Sequence, residues 1–186
     1  LGVNGAGLVQ TINNIRVHDL KPGVPRHMNC RAVLDCATLD QAVGVLARTD
    51  RASGFHHNLG QAGDGRLLSV EAPASGCIVE EIQKPAAHAN HLIRDGFKAL
   101  DQSITASSSS RQRRASQMIN DGAHITAGPE AILFDRSEAG QTIHRTPGDG
   151  SDDYGRTLIT GIFSIGAAAV DWALHDGPDH LDILKS

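Results

Sequence analysis

Two adjacent carboxamides, Asn13-Asn14, end the apolar segment Leu8-Val9-Gln10-Thr11-Ile12, which follows the glycine-rich Gly5-Ala6-Gly7. An Asn side chain at a strand end can donate N–H to an oxyanion as it develops, or it can satisfy backbone groups of a turn. A second polar cluster is His88-Ala89-Asn90-His91. Here Asn90 offers another oxyanion or orienting amide, with a plain polar loop as the other reading. Two His three apart could ligate a metal on a helix, but no Asp, Glu or Cys stands nearby in register as a third ligand, so no metal site is expected. Cys36 precedes a helix-like segment, where a thiol can gain thiolate character and act as a nucleophile. It lacks a local His partner, and Cys30 and Cys77 read as small core residues. His56-His57 alternate faces if they lie on a strand, so one of them at most should face a core. Glu71, before Ala72-Pro73, reads as an exposed carboxylate at a strand end. Arg111-Gln112-Arg113-Arg114 is a basic cluster that could touch an anion or could simply be a solvated helix face.

These residues need elements to hold them. Leu1 to Asn4 and Leu8 to Ile12, across Gly5 to Gly7, predict a β-hairpin. The stretch from His18 to His27 contains Pro22-Gly23-Val24-Pro25 and is a loop. Residues 28–35 have helical character. Thr38 and Gln41 match a capping box, and Ala42, Val43, Leu46 and Ala47 lie on one stripe of the helix that follows. Gly44 within it is expected to admit a neighbouring backbone. Phe55 to Gln61, Leu67 to Glu71 and Cys77 to Ile82 predict a three-stranded meander, turned first at Gly63-Asp64-Gly65. Ala86 to Leu92 is placed at a strand end or in a loop. The Ser-rich Ser103 to Ser110 reads as a mobile surface loop, followed by a helix over Arg111 to Asp121 that Gly122 ends. Pro129 opens a short helix. Gln141 to Arg145 reads as a short strand, Thr146 to Gly155 as a loop, and Thr157 to Ile165 and Ala168 to Leu174 as a final strand pair. The fold class is α+β, mostly antiparallel, with residues 1–186 forming a single domain.

Composition narrows the function. With 17 Lys and Arg against 21 Asp and Glu the net charge is −4, which excludes the basic face of a general nucleic-acid binder. No apolar run approaches the length of a membrane span, so no membrane partner is expected. Three cysteines are too few, and odd in number, for a disulfide framework; a reducing, cytoplasmic setting is expected. Gly5 to Gly7 is not a dinucleotide fingerprint, because its spacing is wrong and a strand follows it. No cofactor is expected. The chain opens at Leu1 in strand-like sequence without Met or leader, as an internal fragment or a proteolytically matured subunit would.

Several segments, taken in order, resemble one family. Gly2-Val3-Asn4-Gly5-Ala6-Gly7-Leu8 with Ile12-Asn13-Asn14 is similar to its G-x-N-x-x-G-L hairpin. Gly23-Val24-Pro25, Arg31, Leu34 and the Ala42 to Leu46 helix resemble the stretch that follows. Glu71-Ala72-Pro73 resembles its E-x-P strand end, and His88-Ala89-Asn90-His91 its H-T-N-H turn. Ser110 to Arg114, Thr157-Leu158 and the last strands through Gly177-Pro178 complete the order. The chain thus resembles the acyl-CoA:6-aminopenicillanic acid acyltransferase (isopenicillin N acyltransferase) family of N-terminal nucleophile hydrolases.

The resemblance implies an αββα sandwich of antiparallel sheets, of which this chain would form the C-terminal portion. It implies a precursor that cuts itself to expose an N-terminal Cys. That Cys attacks an amide or thioester carbonyl, with its own α-amino group as base, and the acyl-enzyme passes to water or an amine. Carried over by position, Asn13, with Asn14 as the register alternative, and Asn90 match the oxyanion-side asparagines. Arg156 lies near a family Arg, shifted in register. Phe55 and Phe134 are candidate lining of the acyl pocket. The family's nucleophile lies upstream of the hairpin, where this sequence has no Cys, so an upstream chain is the expected partner and a small-molecule amide or acyl-CoA the expected substrate. The competing readings are a non-catalytic binding or regulatory module that keeps the fold, and a thiol enzyme built on Cys36.

Overall fold

The computed structural model describes residues 1–137, 142–146, 155–177 and 184–185, without the side chains of 124, 184 and 185. The chain divides into two compact units, one of residues 1–84, 90–104 and 164–170, the other of residues 85–89, 105–163 and 171–186.

The first unit is built on β1 (Gly2–Val3), β2 (Leu8–Asn14), β3 (Phe55–Gln61), β4 (Leu67–Ala72) and β5 (Ile78–Glu81), an antiparallel sheet in that order. The expected hairpin forms because Asn4 organises its turn. Its Oδ1 accepts from Ala6 N at 2.9 Å and Leu8 N at 3.0 Å, and Gly7 takes φ 71°, a left-handed conformation that glycine adopts without a Cβ clash. The amide of Asn4 also donates to Leu34 O and Cys36 O, which ties the turn to the helices.

Those helices are α1 (Arg26–Val33) and α2 (Leu39–Leu46). Thr38 caps α2 as expected, its Oγ1 accepting from Gln41 N at 3.2 Å, while Gln41 Oε1 accepts from Ala37 N at 2.8 Å, one residue before the N–H that a full capping box would use. Val33, Leu39, Ala42 and Leu46 pack on Leu8, Leu59, Leu68, Val70 and Ala72 to make the main core. The sheet residues in that core share one face by register, since cross-strand partners point the same way. Gly44 does not serve a close approach. A Cβ there would meet nothing, because the helix turns this position into an open groove beside Ala32, Cys36 and Val45. The close approach is instead at Gly54, where a Cβ would collide with the Ala72 carbonyl.

Arg51 is buried, and among the described residues no carboxylate forms an ion pair with it. Its guanidinium donates to Leu46 O at 2.5 Å and Pro73 O at 2.8 Å, and also to Arg48 O and Gly76 O, so a cation substitutes for water around carbonyls that end helix and strand. A second apolar cluster of Ile15, Val17 and Leu92, with Phe97 and Leu100, anchors the segment after the His88-Ala89-Asn90-His91 turn.

The second unit carries α3 (Ala106–Asn120), α4 (Ala123–Ala127), α5 (Glu130–Leu133), most of β6 (Thr160–Ile165) and of β7 (Val170–His175), and β8 (Leu184–Lys185). The three strands form a sheet in the order β6-β7-β8, and β7 and β8 are antiparallel. The Ser-rich segment corrects the loop expectation. Thr105 caps α3 by accepting from Ser108 N at 3.1 Å, and the serines that follow fill the first helical turns. Serine hydroxyls bond readily to nearby backbone, which weakens helix interiors but suits their starts. Residues 142–146 are irregular rather than a strand, while Gln141 and residues 147–154 lie outside the described residues. Arg114 makes a bidentate pair with Asp135, at 3.0 and 2.9 Å, which holds the Asp135 carboxyl below its ordinary range. The whole is α+β with antiparallel sheets, as the sequence predicts.

Candidate active site

The face of the first unit's sheet opposite α1 and α2 is polar. By register it carries Thr11 and Asn13 from β2, His56 and Asn58 from β3, and Ser69 and Glu71 from β4. Asn13, His56 and Glu71 stand in one cross-strand row at the end of these strands. Asn13 Nδ2 lies 3.2 Å from His56 Nδ1, and His56 Nε2 lies 2.8 Å from Ser69 Oγ. Arg94 Nη2 donates to the same Ser69 Oγ at 2.8 Å, and Arg94 also pairs with Glu80. Glu71 accepts from the main chain of the segment beyond the turn, from Ile93 N at 2.7 Å and Arg94 N at 3.3 Å. His56 and Glu71 are fully buried, and Ser69 is 3% exposed.

Asn90 is half-buried, and its Nδ2 donates to the backbone carbonyl of Asn14 at 2.9 Å. The turn His88-Ala89-Asn90-His91 therefore touches the end of β2 through Asn90, beside Asn13. Asn14 itself is exposed, and its side chain shares the helix-bearing face with Phe55, its cross-strand partner. Phe55 is buried there. Its ring meets His27 edge-on at 5.2 Å and carries the Arg26 guanidinium at 4.2 Å from its centroid, so it lies on the opposite side of the sheet from Asn13. In the second unit, Arg156 is exposed, and Phe134 is half-buried with its ring edge-on to His144 and His175 at 5.7 and 5.6 Å.

Two sequence expectations are overturned on the polar face. Glu71 is not an exposed strand-end carboxylate but a buried acceptor for two peptide N–H groups. His56 and His57 are both buried, because the sheet is covered on both sides around them. His57 lies on the helix side, where its Nδ1 is 3.0 Å from Gln10 Oε1; burial, and then the charge of Arg51, lowers it to about 3. The available signal was alternation: Thr11 and Asn13, His56 and Asn58, Ser69 and Glu71 are polar at every second position of three paired strands. A helix-start thiolate does not arise at Cys36 either. Burial and then the Asp35 charge raise its thiol, and its Sγ donates to Ala32 O at 3.3 Å. Cys30, in the core, is pushed up to about 11 by burial.

The comparison with known families bears on this face. The model of the family described as acyl-coenzyme A:6-aminopenicillanic acid acyl-transferase matches residues 1–178. The chain belongs to that family. Membership in this acyltransferase family covers both units and every candidate residue above, and it gives the chain a general assignment to acyl transfer. A search of curated proteins finds no match. Among the described residues no group of three or more His, Cys, Asp or Glu is placed to hold a metal ion, and no helix is long and apolar enough to cross a membrane.

Proposed function

We propose that this chain supplies the oxyanion side of an acyl-transferring N-terminal nucleophile hydrolase, the C-terminal portion of its αββα sandwich, acting in the cytoplasm on a small-molecule amide or an acyl-CoA thioester. The nucleophile is an N-terminal Cys freed by autoproteolysis on an upstream chain, tightly associated with this one. Its α-amino group takes the thiol proton as the sulfur attacks the carbonyl carbon, and returns it to the leaving amine or CoA sulfur. The C–O double bond becomes a single bond to an anionic oxygen, and the carboxamide N–H groups of Asn13 and Asn90 donate to that oxygen. Collapse of the tetrahedral intermediate expels the amine or CoA thiol, and water or an amine then takes the acyl group from sulfur. One such donor accounts for about 3–4 kcal/mol of transition-state stabilisation in other acyl-transfer enzymes.

The observation that carries this reading is the hydrogen bond from Asn90 to Asn14 O. It brings a carboxamide from a distant turn to the strand end that bears Asn13, inside a chain of acyltransferase family membership. Arg156 and Phe134 are proposed to contact the acyl group or its carrier; Phe55, buried on the sheet face opposite Asn13, is not assigned to that role. Denaturing mass spectrometry of the active protein tests the subunit arrangement. A second polypeptide beginning with Cys, Ser or Thr is expected. A single 19.6 kDa species with full amidase activity would refute it.

A specific observation favours the second reading, a binding module that keeps the fold without the chemistry. Both carboxamides already donate within the chain, Asn13 to His56 and Asn90 to Asn14 O. Such a module would bind ligand without turnover, and Asn90→Ala would leave no rate to lose.

A further inference from the structure

A hydrogen-bonded chain runs from half-buried Asn13 through the buried His56 and Ser69 to half-buried Arg94. Asn13 Nδ2 faces His56 Nδ1 at 3.2 Å, His56 Nε2 faces Ser69 Oγ at 2.8 Å, and Ser69 Oγ takes a further N–H from Arg94 at 2.8 Å. The main-chain N–H of Arg94 is held by Glu71, which stands beside His56 across β3 and β4. The other end of the chain thus reaches the segment just beyond Asn90.

The donor and acceptor roles along this chain are mutually consistent. Arg94 can only donate, so Ser69 Oγ accepts from it. With the Asn13 nitrogen against it, Nδ1 of His56 carries no proton, so the neutral ring has its proton on Nε2 and donates to Ser69. Turning the Asn13 carboxamide over would set its oxygen against Nδ1 and require the ring proton to move there, with the Ser69 hydroxyl then donating to Nε2.

We infer that His56 is a positioning residue for acyl transfer: it holds one N–H of the Asn13 carboxamide so that the second N–H of the same nitrogen is aimed at the reacting carbonyl, and the Ser69–Arg94–Glu71 group couples that orientation to the turn bearing Asn90. The inference rests on the proposed oxyanion role of Asn13. A carboxamide held the wrong way round presents a carbonyl dipole to a developing oxyanion, which raises the barrier without altering ground-state binding.

The two ring nitrogens can be replaced separately. In His56→Asn the side-chain oxygen occupies the place of Nδ1 and keeps the contact to Asn13. In His56→Gln the longer side chain reaches the place of Nε2 and keeps only Ser69. His56→Phe keeps the volume and neither contact. Steady-state kinetics on the intact active protein, with short- and medium-chain acyl p-nitroanilides as probes and thermal midpoints recorded alongside, separate the outcomes. For H56Q and H56F a kcat loss of about 100-fold at constant KM is expected, the scale of a 1 Å misplacement of a reacting group. H56N should recover most of that loss, and H56Q should add nothing on an Asn13→Ala background, because the two residues act as one. Should H56F not fold, H56Q carries the comparison.

Wild-type kcat in H56Q would overturn the inference, as would a rate loss that follows the thermal midpoint irrespective of which nitrogen is replaced. An H56Q effect that is undiminished in the N13A background would overturn it too. Wild-type kcat in N13A itself would instead remove the oxyanion role of Asn13, and the inference with it, whereas a slow N13A with a fast H56Q would spare that role and remove only the positioning.

Discussion

Replacing Glu71 by Gln changes one atom in a fully buried side chain, and its consequence can be worked out bond by bond. The carboxylate accepts from Ile93 N at 2.7 Å through Oε1, and from Arg94 N at 3.3 Å through each oxygen. A glutamine retains one oxygen, enough for the shorter bond to Ile93. Its NH2 takes the place of Oε2, so the Arg94 N–H keeps the 3.3 Å contact to Oε1 and meets a donor in place of its second acceptor, and neither remaining bond goes to a charge. A hydrogen bond to a charged group contributes about 1.5–3 kcal/mol and one to a neutral group about 0.5–1.5 kcal/mol, so each of the two bonds loses about 1 kcal/mol. The net loss is therefore about 2 kcal/mol, lodged in the segment that follows Asn90. Hydrogen exchange read by amide should show the peptide N–H groups of Ile93 and Arg94 exchanging about 30-fold faster, which is that free energy expressed as a local opening constant. Thermal unfolding of a chain this size should fall by about 4–8 °C if the segment unfolds with its unit. Exchange at both amides that matched the wild type would refute the reasoning, because the carboxylate would then not be what holds this segment to the sheet.

Three further expectations follow from particular contacts. Thr38→Ala removes the acceptor for Gln41 N at the start of α2 and should lower stability by about 1 kcal/mol, read as a shift in urea midpoint at constant slope. His57 is lowered to about 3 in the folded chain and returns to 6.5 on unfolding, so between these values the unfolded chain binds the extra proton. Its contribution is fully present above pH 6.5 and is lost as pH falls toward 3, at about 1.4 kcal/mol per pH unit; urea midpoints from pH 7 to pH 4 should decline less steeply in His57→Gln, with the lowered His144 leaving part of the slope. The mass of the active material should include a second polypeptide with a nucleophilic N-terminal residue, and its absence from fully active protein would remove the subunit arrangement.

The elements legible in the sequence are those whose signals are local. The Gly7 turn, the Thr38 cap and the strand Phe55–Gln61 each carry their determinants within a few residues, and each forms as expected. Departures arise where a residue's environment is set by distant chain. Ser103 to Ser110 read as loop because serine competes for backbone hydrogen bonds, yet Thr105 supplies a cap and the longer α3 begins there. His56 and Glu71 read as exposed or half-exposed because a strand at a sheet end was assumed to have one dry face. The segment from Asn90 to Ile104 covers the second face, and its peptide N–H groups call for a buried acceptor where Glu71 stands. Asn13, Asn14 and Asn90 were legible as residue types in a resembling order. That Asn90 reaches the end of β2, while Asn14 and Phe55 turn to the helix side, depends on register and on a contact between positions 76 apart in sequence. The network through His56, Ser69 and Arg94 likewise joins three separate segments, and only the polar alternation along the strands hinted at it.

The central claim is that Asn90 donates to the oxyanion of an acyl transfer. It is tested most directly by the kcat of Asn90→Ala in the intact active protein, with acyl p-nitroanilides and acyl-CoA thioesters as substrates and folding followed by circular dichroism. The account predicts a fall of about 100- to 1000-fold in kcat with the fold retained, the loss that follows removal of one oxyanion donor. A well-folded Asn90→Ala protein turning over at the wild-type rate would contradict it.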